Sequence, residues 1–115
     1  MKIKLKKVYD PPSKEDGARV LVERLWPRGI KKEDLKMDAW LKNLAPSTTL
    51  RKWFSHDPAK WKEFQEKYFA ELDADAEALE QIKSYLAKGT TTLLYSSKDS
   101  EHNNAVSLKN YLEKK

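Results

Sequence analysis

The sequence predicts an α/β fold: one compact domain over residues 1–115, a small, mostly parallel sheet flanked by helices. Three observations point there. Two short apolar runs, RVLVERL at 19–25 and TTTLLY at 90–95, have the β-branched, uninterrupted character of strands buried on both faces. The segment between them carries helix start signals and amphipathic spacing, which makes it a long helical crossover and the two strands parallel. Finally, 115 residues suit a single domain, and four Trp, five Tyr and three Phe supply a core without staples.

Residues 2–9 alternate, with Ile3, Leu5, Lys7 and Tyr9 set against Lys4, Lys6 and Val8, the period of a half-buried or edge strand, and Asp10-Pro11-Pro12 ends it. Its direction relative to the next strand is open. About nine residues connect the two, whereas a parallel crossover usually takes a dozen or more; one helical turn from Ser13 to Asp16 would rescue the parallel arrangement. The run 19–25 reads as a central strand through Val20, Leu21, Val22 and Leu25, and Trp26-Pro27-Arg28-Gly29 turns the chain out of the sheet.

Leu35, Ala39 or Trp40, and Leu44 have helical spacing, with Glu33 and Asp34 where they complement the helix dipole, so residues 31–44 read as a helix ended by Pro46. Ser47 or Thr48 caps a short helix bearing Leu50, Trp53 and Phe54. Asp57-Pro58 is an N-cap followed by a first-turn proline, and Trp61, Phe64, Tyr68 and Leu72 share one face of the next helix. Asp73 or Asp75 starts another, with Leu79, Ile82 and Leu86 inward and Gly89 at its end. After TTTLLY, also a central strand, a polar turn at 96–100 leads to a last helix that buries Ala105, Val106, Leu108, Tyr111 and Leu112.

Composition narrows function. Without cysteine there is no disulfide, thiolate nucleophile or zinc-thiolate site, and two histidines make a transition-metal centre an unpromising reading. There is no phosphate-binding Walker loop, no glycine-rich dinucleotide fingerprint among three glycines and no nucleophile elbow. No metal and no cofactor is called for. Neither a signal peptide nor a membrane span is legible, and the expected location is cytoplasmic. Residues 1–32 hold ten basic and four acidic side chains, residues 33–115 thirteen and fourteen, so all the excess positive charge lies in the first segment. Lys2, Lys4, Lys6 and Lys7 read most simply as a solvated strand face or a guarded sheet edge; the other reading is a phosphate-binding surface.

In parallel sheets, ligands bind beyond the C-terminal strand ends. The strand ends bring Tyr9 and Asp10, then Arg24, Trp26 and Arg28, then Tyr95, Ser96, Lys98 and Asp99 to one rim. Arginine forks, a lysine and an indole suit a planar or phosphate-bearing anion. The plainer alternative pairs Arg24 with a core-edge carboxylate and packs Trp26 at the rim. A second cluster, Arg51, Trp53, His56 and Asp57, offers His56 and Asp57 as acid-base candidates, although adjacent residues rarely face each other and Asp57 doubles as a helix cap. A third comprises Lys98, Asp99, His102 and Asn103, where Asp99, Ser100 or Asn103 also suits a cap.

With RVLVERLWPRG, WLKNLAPS, LRKWFSHD and LLYSSKDSEHNNA the sequence resembles the YeaO-like branch of the domain-of-unknown-function family 488 over nearly its whole length. The matching positions are Arg24, Trp26, Pro27, Arg28, Gly29, Trp40, Leu41, Ala45, Pro46, Ser47, Arg51, Trp53, Phe54, His56, Asp57, Tyr95, Lys98, Asp99 and Asn103; Glu23 stands where many relatives carry Asp. The resemblance implies a small cytosolic α/β protein of bacterial or archaeal type with no established activity, and it carries over no catalytic role. The leading expectation is therefore a site for an anionic, phosphorylated small molecule built from Arg24, Trp26, Arg28, Arg51, Tyr95, Lys98 and Asn103, with His56, Asp57 and Asp99 as weak catalytic candidates and catalysis itself open. The alternatives are nucleic-acid binding through the basic N-terminal third and a protein-interaction module anchored on Trp26 or Trp40. Oligomeric state is open.

Overall fold

The computed structural model describes residues 2–114. Among them, β1 (Ile3–Lys7), β2 (Ala18–Leu21), β3 (Ala39–Trp40) and β4 (Thr91–Tyr95) form one all-parallel sheet in the order β1-β4-β2-β3. The helices are α1 (Thr48–Phe54), α2 (Trp61–Asp73), α3 (Ala76–Lys88) and α4 (Asn104–Lys114). β2 and β4 are both central, as their apolar runs require, and β4 is buried along its whole length.

The first strand is parallel. A single 3₁₀ turn at Lys14–Asp16, capped by Ser13, shortens the connection enough to let β4 fit between β1 and β2. Asp16 ties all three strands together. Its carboxylate accepts from Lys6 Nζ of β1 at 3.0 and 3.1 Å, from the Ser13 amide at 3.0 Å and from the Arg19 guanidinium of β2, and its carbonyl accepts from Thr92 Oγ1 of β4 at 2.7 Å. Burial alone would raise the Asp16 carboxyl, but Lys6, the Ser13 amide and Arg19 hold it below the usual carboxylate range. Gly17 follows with φ +63°, and its backbone presses on Thr90 so closely that a Cβ would lie 2.1 Å from the Thr90 carbonyl oxygen.

Strand alternation divides the core. Ile3, Val20, Val22, Leu93 and Tyr95 face a large cluster with Phe54, Phe64, Tyr68, Leu72, Ile82 and Leu108, drawn from all four helices. Val8, Leu21, Leu35 and Leu94 face a smaller one, covered by Trp26, Ile30, Met37 and Trp40. No residue of the four helices joins that second cluster; the irregular chain from 22 to 40 covers this face instead.

That arrangement corrects two sequence expectations. Residues 31–44 do not form a helix. They comprise 3₁₀ turns at Lys32–Asp34 and Lys42–Leu44 with β3 between them. Leu35 belongs to one face of the sheet and Leu44 to the other, so the chain must pass around the sheet edge, pairing with β2 on its way through Asp38 N to Arg19 O and Leu41 N to Leu21 O. Nine residues apart, the two leucines would lie about 180° apart around a helix as well, so what sets the path is the pairing of Ala39 and Trp40 with β2. The second central strand also ends at Leu21 rather than running to Leu25. Val22 N still reaches Leu94 O at 3.3 Å, but the chain then peels away and Leu25 is 64% exposed. The caps hold: Ser47 Oγ accepts from Leu50 N, Asp57 from Ala59 N and Asp75 from Ala78 N.

Two outcomes follow for stability. Gly17→Ala should cost about 3 kcal/mol or more, because the Cβ clash and the positive φ act together; a loss under about 1 kcal/mol in urea unfolding would contradict the packing of this corner. Asp16→Asn should cost about 3 kcal/mol by leaving Arg19 and Lys6 without their counter-charge. Since the folded carboxyl lies below its unfolded value of about 3.9, the Asp16 contribution is complete above that pH and is lost as pH falls through the lower, folded value. The stability gap between the parent and the variant should close on acidification below about pH 4 and stay constant between about pH 5 and 7.

Candidate functional site

The C-terminal strand ends open into a cleft of about 660 Å³. Tyr9 comes from the end of β1, Ser96 and Ser97 from β4, and residues 23–28 from β2; α1 and its flanks add Pro46, Thr48, Arg51, Lys52, Phe54, Ser55 and His56, and the start of α4 adds His102, Asn103 and Asn104.

Local bonds hold these walls in place. Glu23 Oε1 accepts from both the amide and the hydroxyl of Ser96, each at 2.8 Å, and so locks the exit of β2 to that of β4. Asn104 Nδ2 donates to Val22 O at 2.6 Å, fixing the start of α4 on the same strand end. Trp40 Nε1 donates to Glu23 O, Trp26 Nε1 to Ile30 O and Tyr9 Oη to Arg28 O, which pins the Leu25–Gly29 loop across the opening. Trp26 rests edge-on against Trp40 with centroids 5.3 Å apart.

Charge in the cleft is one-sided. Arg24, Arg28, Arg51 and Lys52 line it against a single carboxylate, Glu23, already engaged by Ser96. Arg24 makes no pair with a core-edge carboxylate; its guanidinium donates to the Ala45 and Pro46 carbonyls at 3.0 and 3.2 Å, which orients the fork without neutralising it. Among the described residues, the side chains of Arg28, Arg51 and Lys52 have no hydrogen-bond or ion-pair partner.

Two histidines enter the cleft in different ways. His56 does so because Ser55 and His56 are both left-handed, with φ 46° and 56°, at the end of α1, a conformation costing about 1–2 kcal/mol per non-glycine residue. His102 is held by a carboxylate: its Nδ1 lies 3.0 Å from Asp99 Oδ2, and its ring meets the Trp61 face edge-on at 5.3 Å. Asp99 also accepts from the Glu101 and His102 amides, and these, with the imidazole, hold its carboxyl below the usual range.

Of the sequence candidates, Arg24, Trp26, Arg28, Arg51, His56 and Asn103 line one cleft. The others do not. Tyr95 points into the helix-side core, where burial first and then the Asp10 and Asp99 charges raise its hydroxyl pKa. Lys98 is exposed away from the cleft, Asp57 caps the Pro58–Lys60 turn, and Asp99 stands one hydrogen bond behind His102. Asn103 forms part of the wall, but its amide donates to Asp99 O and its oxygen caps α4 through Val106 N. His56 and Asp57 form no pair; the histidine–carboxylate pair at the cleft is His102–Asp99. The i, i+3 spacing within DSEH was its sequence signal. Glu23 and Lys52 carried no comparable signal, since each depends on where a neighbouring element ends. Among the described residues no three His, Asp or Glu side chains gather as metal ligands, and no helix is long and apolar enough to cross a membrane.

The profile of the inactive DUF488-N3 subclade matches residues 2–115. The chain belongs to this DUF488 subclade. It is 45% identical over 112 residues to the uncharacterized protein YeaO of Escherichia coli (strain K12), covering 97% of each chain. It is also 37% identical over 91 residues to the uncharacterized proteins Rv3073c of Mycobacterium tuberculosis (strain ATCC 25618 / H37Rv) and Mb3100c of Mycobacterium bovis (strain ATCC BAA-935 / AF2122/97), covering 79% of this chain and 76% of each relative. No solved structure matches it. Within this DUF488 chain, removing the Glu23 carboxylate should loosen the cleft from beneath. Glu23→Ala leaves the Ser96 amide without its acceptor and should cost about 1–3 kcal/mol. Amide exchange at Ser96 should accelerate well beyond that of Leu93 in the centre of β4; unchanged exchange at Ser96 would contradict the clamp.

Proposed function

We propose that the cleft binds a small anionic molecule, a phosphate-bearing one fitting best, and does not transform it. The observation that carries this reading is the set of three unpartnered cations, Arg28, Arg51 and Lys52, lining the same cleft as the pre-oriented Arg24. A guanidinium fork suits the paired oxygens of a phosphate or carboxylate, and four cations against the sole lining carboxylate leave the cleft positive for an incoming anion. Binding without turnover is supported by the description of the subclade as inactive; the histidine–carboxylate pair at the cleft, His102–Asp99, is then read as a fixed part of its wall.

The N-terminal lysines favour this reading over a nucleic-acid surface. Lys4 donates to Glu15 O at 3.0 Å, Lys6 is engaged by Asp16 and Pro11 O, and Lys7 reaches Lys98 O at 3.5 Å. The ammonium groups of Lys4 and Lys6 serve the corner between β1 and β2 and that of Lys7 the loop after β4, whereas Arg28, Arg51 and Lys52 serve no internal partner.

Titration with inorganic phosphate, followed by proton-nitrogen NMR, should shift the Trp26 indole and the Arg24 and Arg28 side-chain signals and leave those of Trp53 unmoved. Arg28→Ala and Arg51→Ala should each weaken binding about tenfold or more, the worth of one charge-assisted hydrogen bond, while the fold persists because neither side chain has an internal partner. Absence of any shift with phosphate or organic phosphates would overturn the reading. Shifts confined to the N-terminal lysines on adding a short RNA, abolished by salt, would transfer it to a nucleic-acid surface.

A further inference from the structure

The exposed large hydrophobic side chains among the described residues fall in the same cleft. Tyr9 is 54% exposed and Leu25 64% exposed, the two large apolar side chains left most open to solvent, and both line the cleft that carries the arginines. They come from different strand exits, β1 and β2, and the Tyr9 Oη to Arg28 O bond at 3.0 Å ties the loop that carries Leu25 to Tyr9. Trp26 and Pro27 line the cleft between Leu25 and Arg28, and the stacked Phe54 and Phe64 rings, 4.4 Å apart, supply further apolar wall. A site for a bare inorganic anion needs donors and cations only. Apolar side chains held in the open beside unpartnered cations suit a ligand with two parts.

We propose that the cleft is selective for an organic phosphate monoester with an apolar, flat or branched substituent, its phosphate on Arg28, Arg51 and Lys52 and its substituent covering Tyr9 and Leu25. This rests on the anion-binding reading above and gives the ligand its chemical class. Charge complementarity sets one end of the ligand: the cations face a single carboxylate that Ser96 already engages. Removal of apolar surface from water sets the other, and it contributes affinity that no inorganic anion can supply. Leu25 then acts as a specificity residue: it touches the substituent and leaves the phosphate alone.

The test compares inorganic phosphate with phenyl phosphate, both as dianions, by calorimetry on the full chain and on Leu25→Ser. Because Leu25 is mostly solvated, this substitution leaves the core intact, and unchanged urea unfolding confirms that. Phenyl phosphate should bind the parent about tenfold or more tightly than inorganic phosphate, an advantage that corresponds to covering one exposed apolar side chain. Leu25→Ser should lose most of that advantage while its affinity for inorganic phosphate stays within about twofold of the parent. Equal affinity of the parent for the two probes, or an advantage that survives Leu25→Ser, overturns the selectivity and leaves the anion site standing. Failure of both probes to bind the parent removes the anion site itself and this inference with it.

Discussion

Asp16 is the residue on which the sheet depends. A ten-residue span from Val8 to Gly17 must carry the chain past β4, over the roughly 10 Å that two inter-strand spacings require, and turn it parallel again. One buried carboxylate makes that economical: it receives Lys6 from β1 and Arg19 from β2, while its own carbonyl receives Thr92 from β4. The next residue must be glycine because the Thr90 backbone leaves no room for a side chain. Two of the basic residues that dominate the N-terminal composition, Lys6 and Arg19, thus have structural work to do.

From that corner the geometry of the cleft follows. With β4 central, its exit at Ser96 lies beside the exit of β2, where Glu23 can grip it, and α4 begins close enough for Asn104 to hold Val22. The 22–40 segment leaves the sheet here to cover the second face, so the Leu25–Gly29 loop crosses the strand ends instead of lying on a helix. The cleft exists because the two faces are covered differently: packed helices on one side and an irregular strap on the other.

How far this could be read in the sequence depended on whether a residue answers to its near neighbours or to distant ones. The existence of the strands in RVLVERL and TTTLLY, the Asp57 cap, and the other caps to within one of two candidates (Ser47 or Thr48, Asp73 or Asp75) are local features and were legible, and the turn ending at Asp16 was one of two options the sequence left open. Residues 31–44 were not, because their local apolar spacing suggested a helix, whereas the pairing of Ala39 and Trp40 with β2, a contact between residues far apart in the chain, makes the segment extended and carries it around the sheet edge from the Leu35 side to the Leu44 side. The rim was legible from topology, so Arg24, Trp26 and Arg28 fell together as expected, joined by Arg51, His56 and Asn103. Tyr95 and Lys98 did not, since strand alternation turns one into the core and the loop carries the other away. The exposure of Leu25 was hidden too: in sequence it continues an apolar strand, and it opens to solvent only because the chain leaves the ladder after Val22.

The strand-end cleft of this DUF488 chain keeps Arg28, Arg51 and Lys52 without internal partners beside the exposed side chains of Tyr9 and Leu25. The most direct measurement is a crystal structure grown with tungstate, a phosphate-shaped anion whose strong anomalous scattering locates it without ambiguity. One ordered ion bonded by Arg28 and Arg51, within reach of Lys52, is expected. Ordered ions only on Lys2, Lys4 or Lys7 at the β1 edge, with none between the two arginines, would contradict it.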